Sequence, residues 1–106
     1  MLKMPEQYKY IQKSFKEFHK AAQKLGKAAR EAGPIDAKTS HLIQLAAASA
    51  IRSEGSVHSH TRRALEAGAT PDEIRHAIIL LASTIGFPTT SAALSWAEEI
   101  IEKERK

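Results

Sequence analysis

The chain has no cysteine, so it can form neither a disulfide nor a thiolate centre. Chemistry that runs through a sulfenic acid or a disulfide is closed to its own side chains, because a serine hydroxyl has no equivalent reversible oxidation state. Aromatic residues make up only 6% of the sequence, and they do not interleave with the lysines in the base-stacking pattern that nucleic-acid binders use. No apolar run approaches the roughly 18 to 20 residues that a helix needs to cross a bilayer. The opening Met1-Leu2-Lys3-Met4-Pro5-Glu6 lacks the apolar centre of a secretory signal, and the expected compartment is the cytoplasm. Strand-like alternation, internal repeats and low-complexity tracts are also missing.

What is present is ordinary for a soluble globular protein: 42% hydrophobic and 26% charged residues in 106, read as a single domain. A chain of this size buries a modest core, and its helices are expected to gain a partner chain by self-association. The net charge of +4 is unevenly placed. Eight basic and three acidic side chains fall in residues 1–33, against eight basic and nine acidic in the remainder. Lys9, Lys13, Lys16, Lys20, Lys24 and Lys27 form a basic stripe at helical spacing. Such a stripe can track phosphates on nucleic acid or an anionic membrane, but a solvated lysine face explains it more economically. No membrane partner is expected, and nucleic-acid binding is the weaker alternative.

Residues 5–32 read as one long amphipathic helix, because Met4, Tyr8, Ile11, Phe15, Phe18, Ala22 and Leu25 recur at spacings of four and three. The stripe is expected to lie in the core or at a subunit interface. Gly33-Pro34 ends this helix, and Asp36 is the expected N-cap of a second. That second helix is apolar on nearly every side from Leu42 to Ile51, which predicts burial all round. A third spans residues 54–67 and stops at Gly68. Thr70-Pro71-Asp72-Glu73 opens a fourth with a capping box. Its buried face is expected at Ile74, Ala77, Ile78 and Leu81, and Gly86-Phe87-Pro88 breaks it. Ala92, Ala93, Trp96, Ala97, Ile100 and Ile101 pattern a fifth. The expected fold is all-α, with about five helices.

The stretch Arg52-Ser53-Glu54-Gly55-Ser56-Val57-His58-Ser59-His60, running on through Ala64 to Ala67-Gly68, is preceded by Lys38-Thr39-Ser40-His41-Leu42. It is followed by Gly68-Ala69-Thr70-Pro71-Asp72-Glu73-Ile74 and Gly86-Phe87-Pro88. Together these residues resemble the carboxymuconolactone decarboxylase and alkylhydroperoxidase D-like family. Its redox members carry Cys-x-x-Cys, three further residues and a histidine, with a glutamate twelve residues before the first cysteine. Here Ser53 and Ser56 stand at the cysteine positions, His60 at the histidine and His41 at the glutamate. The resemblance covers residues 34–97. It implies a multihelical protomer assembling as a homo-trimer or hexamer. It also implies acid and base chemistry on a small lactone carboxylate, with no cofactor, as in the decarboxylase branch. Thiol peroxidase activity is not expected of this sequence.

On a helical wheel Ser53, Ser56, His60 and Ala64 share one sector beside Val57, so His60 is expected at the buried side of its helix. A core histidine satisfied by a neighbour would sit there too. As a catalytic group, His60 is the expected acid or base, since an imidazole titrates near neutral pH. His41 is its relay or orienting partner, or else a polar plug between helices. Ser53 and Ser56 are the expected hydrogen-bond donors to substrate in a small pocket.

His58 and His60 point about 160° apart and cannot chelate one ion within a single helix, so no metal site is assigned. A cross-subunit site involving His41 and His60 stays open. His58, Arg62 and Arg63 are candidate substrate-binding residues, with a solvated face or pairing to Glu66 as the plainer reading of the arginines. Glu54 suits the positive end of the helix dipole. A non-catalytic protein that binds a metabolite or metal would retain the same polar groups, and whether the chain is an enzyme is left open at this point.

Overall fold

Seven α-helical segments and no strand make up residues 5–105, the part of the chain described by the computed structural model. They are α1 (Glu6–Ser14), α2 (Lys16–Glu31), α3 (Ala37–Ala50), α4 (Glu54–Glu66), α5 (Pro71–Ile79), α6 (Ala82–Ile85) and α7 (Phe87–Arg105). The all-α expectation holds, with two more segments than the five expected. Two compact units divide the chain, one ending at Ile35 and the other starting at Asp36.

In the first unit the single long helix is broken at Phe15, whose backbone (φ −133°, ψ 65°) leaves the helical basin. The chain folds back there. Gln23 Nε2 donates to Tyr8 Oη at 3.2 Å, whereas fifteen residues of unbroken helix would separate them by about 22 Å. Tyr8 also packs edge-on against His19, with ring centroids 5.2 Å apart. No glycine or proline marks the break, and the apolar period runs straight through it. Phe15, Phe18 and Leu25 are exposed, so the first unit does not bury its own stripe at those positions. Met4, the first member of the stripe, lies outside the described residues.

The second unit is built on its caps. Asp36 Oδ1 accepts the Thr39 amide at 2.8 Å and starts α3. At the far end of α3 the Ser53 amide bonds back to Ala48 O at 3.0 Å, with Arg52 between them at φ 57°. This is the six-to-one closure that usually places glycine at the left-handed residue. Gly68, at φ 102°, ends α4 with the same bond, from the Ala69 amide to Ala64 O at 2.9 Å.

Thr70 and Glu73 form the expected reciprocal box: the Glu73 amide donates to Thr70 Oγ1 at 3.1 Å, and the Thr70 amide to Glu73 Oε1 at 2.9 Å. Thr70→Ala removes one half of this box, and a loss of about 1 kcal/mol is expected in urea unfolding. A change within about 0.3 kcal/mol of zero would show that the box adds nothing to Pro71 and the helix dipole.

The same caps set an acid limit. The Thr70 amide, and then Lys38 at 3.1 Å, hold the Glu73 carboxyl below its usual range. The Thr39 amide does the same for Asp36. A carboxylate depressed in the folded state contributes stability that is fully present above its unfolded pKa and lost as pH falls through its folded one. Stability should therefore decline from about pH 4.5 downward. Glu73→Gln should flatten that decline, and an unchanged acid profile in this variant would remove Glu73 as its source.

The core joins Leu45 and Ala48 of α3, Val57 and Ala64 of α4, Ile74 and Ile78 of α5, and Ala93, Ala97 and Ile101 of α7. Ile74 and Ile78 are fully buried as expected, while Ala77 and Leu81 are only half-buried. Below Ile79 the fourth helix does not run on to Gly86. The Leu81 amide bonds to Ile78 O, three residues back, and this tightened turn separates α5 from α6.

The expectation that α3 is buried all round is not met. Leu45, Ala48, Ser49, Ser40 and His41 face inward, whereas Ile43, Ala47, Ala50 and Ile51 form an exposed stripe. Within the second unit α3 packs against α4, α5 and α7, and these cover one side of it.

Candidate functional site

Caps at both ends hold α3 and α4 antiparallel in sequence order around the short turn Ile51-Arg52-Ser53, and one histidine from each helix meets in between. His41 Nδ1 lies 3.5 Å from His60 Nδ1, with ring centroids 5.7 Å apart and the planes tilted by 34°. His41 is buried at 8% exposure and His60 is half-buried. On α4 the fully buried side chains are Val57, Thr61 and Ala64, which places His60 at the margin of the buried face. A histidine there can touch the core on one side and a small molecule on the other.

Ser53 and Ser56 lie at the same end of α4, but their local roles differ. Ser53 is the N-cap, and its Oγ accepts the Ser56 amide at 3.4 Å. A side chain used in this way has its acceptor directed at the helix terminus, so of the two serines Ser56 has the hydroxyl not engaged in a cap.

His58 does not join His60. Its Nε2 lies 2.8 Å from Glu99 Oε1 on α7, on the opposite side of α4, as the 160° separation requires. Arg62 follows His58 by four residues and shares its side. Arg63 follows His60 by three, about 60° round the helix, and is half-buried. Among the described residues Arg63 forms no ion pair with Glu66. The two arginines thus separate: Arg63 belongs to the His60 side and Arg62 to the His58 side.

Two groups were not singled out from sequence. Arg52 Nη1 donates to Thr89 Oγ1 at 2.9 Å and ties the α3–α4 turn to the start of α7. The only sequence signal was its place where glycine usually closes a helix. Glu99 had no signal, because its partner is 41 residues away.

Chemically, the His41–His60 contact needs unlike tautomers. One ring presents Nδ1–H and the other an Nδ1 lone pair. The first ring then has a lone pair at Nε2 and the second an Nε2–H, so the pair offers one base and one acid; a proton gained at the first Nε2, one passed between the Nδ1 atoms and one lost from the second Nε2 exchange them. At 3.5 Å the contact is long for a hydrogen bond, as catalytic contacts often are before substrate binds. Unlike a carboxylate, an imidazole in either protonation state brings no negative charge here.

The carboxymuconolactone decarboxylase family profile matches residues 16–99. The fold is similar to the apo crystal structure of a carboxymuconolactone decarboxylase family protein from Legionella pneumophila, with a TM-score of 0.73 and 27% identity. That similarity covers 89% of this chain and 87% of the other. None of the curated proteins matches the chain. With a profile match that spans most of the sequence and a shared fold on both sides of the α3–α4 turn, the chain belongs to the carboxymuconolactone decarboxylase family, as a member with no cysteine.

Proposed function

We propose that this protein performs acid and base chemistry on a small anionic metabolite of the lactone carboxylate kind, with His60 and His41 moving the proton and with no thiol or cofactor in the reaction. The observation that carries this reading is the approach of the two Nδ1 atoms to 3.5 Å. In a decarboxylation the bond from carbon to the carboxylate breaks and CO2 leaves. The electron pair spreads onto the conjugated lactone carbonyl, and one proton is then taken up at carbon. His60 donates that proton from Nε2 and takes one at Nδ1 from His41, which gains one at Nε2 from solvent; the rings return to their starting tautomers by exchange with solvent. Arg63 is the side chain that meets the substrate carboxylate, and Ser56 Oγ donates to a lactone oxygen.

In the same reading the protomer assembles with copies of itself, as a trimer or hexamer. The support is the stripe Ile43, Ala47, Ala50 and Ile51 on α3, together with Ile79, Leu80 and Phe87. These apolar side chains are all exposed in the single chain, and exposed large apolar side chains in such number are the surface that self-association would cover.

The test is incubation with an unsaturated lactone carboxylate in D2O, followed by NMR for CO2 loss and for one deuterium bound to carbon in the product. Saturable binding without turnover would replace the catalytic reading with a binding one. Neither binding nor turnover across a panel of such acids would remove both.

A further inference from the structure

We infer that Glu54, His58 and Glu99 form a binding site for a divalent transition-metal cation of the Zn2+ class, on the side of α4 opposite the His41–His60 pair. One donor atom from each of the three residues lies within 4.8 Å of the other two. Glu54 and His58 are four residues apart on α4, the spacing that puts two ligands on one face of a helix. Glu99 arrives from α7, so the donors come from two packed helices and do not depend on a loop for their placement. Around a tetrahedral ion with bonds of about 2.0 to 2.1 Å, donors stand about 3.4 Å apart. The observed spread therefore needs a contraction of about 1.4 Å at most, within reach of glutamate side chains that are exposed and free to change rotamer.

Charge and donor type point the same way. Two carboxylates offset a divalent ion when the imidazole is neutral. Among the described residues Glu54 forms no ion pair, and Glu99 pairs only with His58. Among the described residues neither carboxylate is ion-paired to a lysine or arginine. An imidazole nitrogen with two carboxylate oxygens suits zinc, cobalt or manganese rather than magnesium or calcium, which prefer oxygen donors alone. Three protein ligands leave at least one position for water, so the ion is exchangeable, and it clamps α4 to α7. The 2.8 Å contact between His58 Nε2 and Glu99 Oε1 is closer than two ligands of one ion stand. Loading the site opens that contact and releases any proton held in it.

The experiment is calorimetric titration of the full chain with zinc chloride, and of His58→Gln and Glu99→Gln, with circular dichroism to verify their fold. One saturable zinc per chain is expected, weakened more than about tenfold in each variant. Manganese added to 15N-labelled protein should broaden the His58 imidazole signals before those of His41 and His60. The inference is overturned by no saturable uptake up to millimolar zinc, by uptake unchanged in both variants, or by broadening centred on His41 and His60. None of these outcomes bears on the proton chemistry proposed for the other side of α4.

Discussion

His60→Gln is expected to lower kcat/KM for lactone carboxylate turnover by about 10² to 10⁴-fold, the range over which a positioned acid or base acts, while the fold is retained. Glutamine keeps a polar group at the margin of the α4 buried face and can still meet His41 through its amide, so the thermal midpoint should stay close to that of the parent. The two readings of His60 separate here. A histidine that only fills space would cost stability when replaced and leave turnover per folded molecule unchanged.

His41→Gln should also lower kcat, by less than His60→Gln, because His41 resupplies the proton and does not deliver it. The rate of His41→Gln should respond to small imidazole-like buffers that can do the same work. If His60→Gln turns over at the parent rate, proton transfer does not run through this pair.

Leu45→Ala is expected to cost about 2 to 5 kcal/mol in urea unfolding. Leu45 has no exposed surface and sits in α3 at the centre of the cluster of α3, α4, α5 and α7 side chains. Its removal leaves a cavity among helices that are held apart by their caps and by one another. For a small domain this is a large part of the usual 5 to 15 kcal/mol, and the variant should be marginally folded at 37 °C. Ile43, two residues earlier, gives the contrast: it is half-exposed at 51%, and Ile43→Ala should cost little in an isolated protomer. A loss that is large at high protein concentration and shrinks as the protein is diluted would mean that Ile43 is covered by a second copy. A loss under about 1 kcal/mol at Leu45 would mean that the α3 core had been misplaced.

Legibility in the sequence followed the range of the interaction. Asp36, Thr70 with Glu73, and Gly68 were read correctly because a cap is made within three to five residues, and its chemistry is written in adjacent letters. Ile74, Ile78, Ala93, Ala97 and Ile101 were legible because a helix repeats its buried face at a fixed period. The break at Phe15 was not, since it is closed by Tyr8, His19 and Gln23 across the hairpin, and nothing at position 15 itself forbids a helix. The exposed side of α3 was not legible either. An apolar helix says that it needs cover, and only the packing shows that α4, α5 and α7 supply it on one side.

The site divides in the same way. The absence of cysteine, the helical character of the motif and the opposed directions of His58 and His60 were settled by the sequence alone, since composition and helical pitch are local properties. Only the tertiary structure decided that His41 reaches His60 and that His58 has Glu99 for a neighbour. Each of these depends on how one helix lies against another, and that geometry comes from a shared core to which no single segment holds the key.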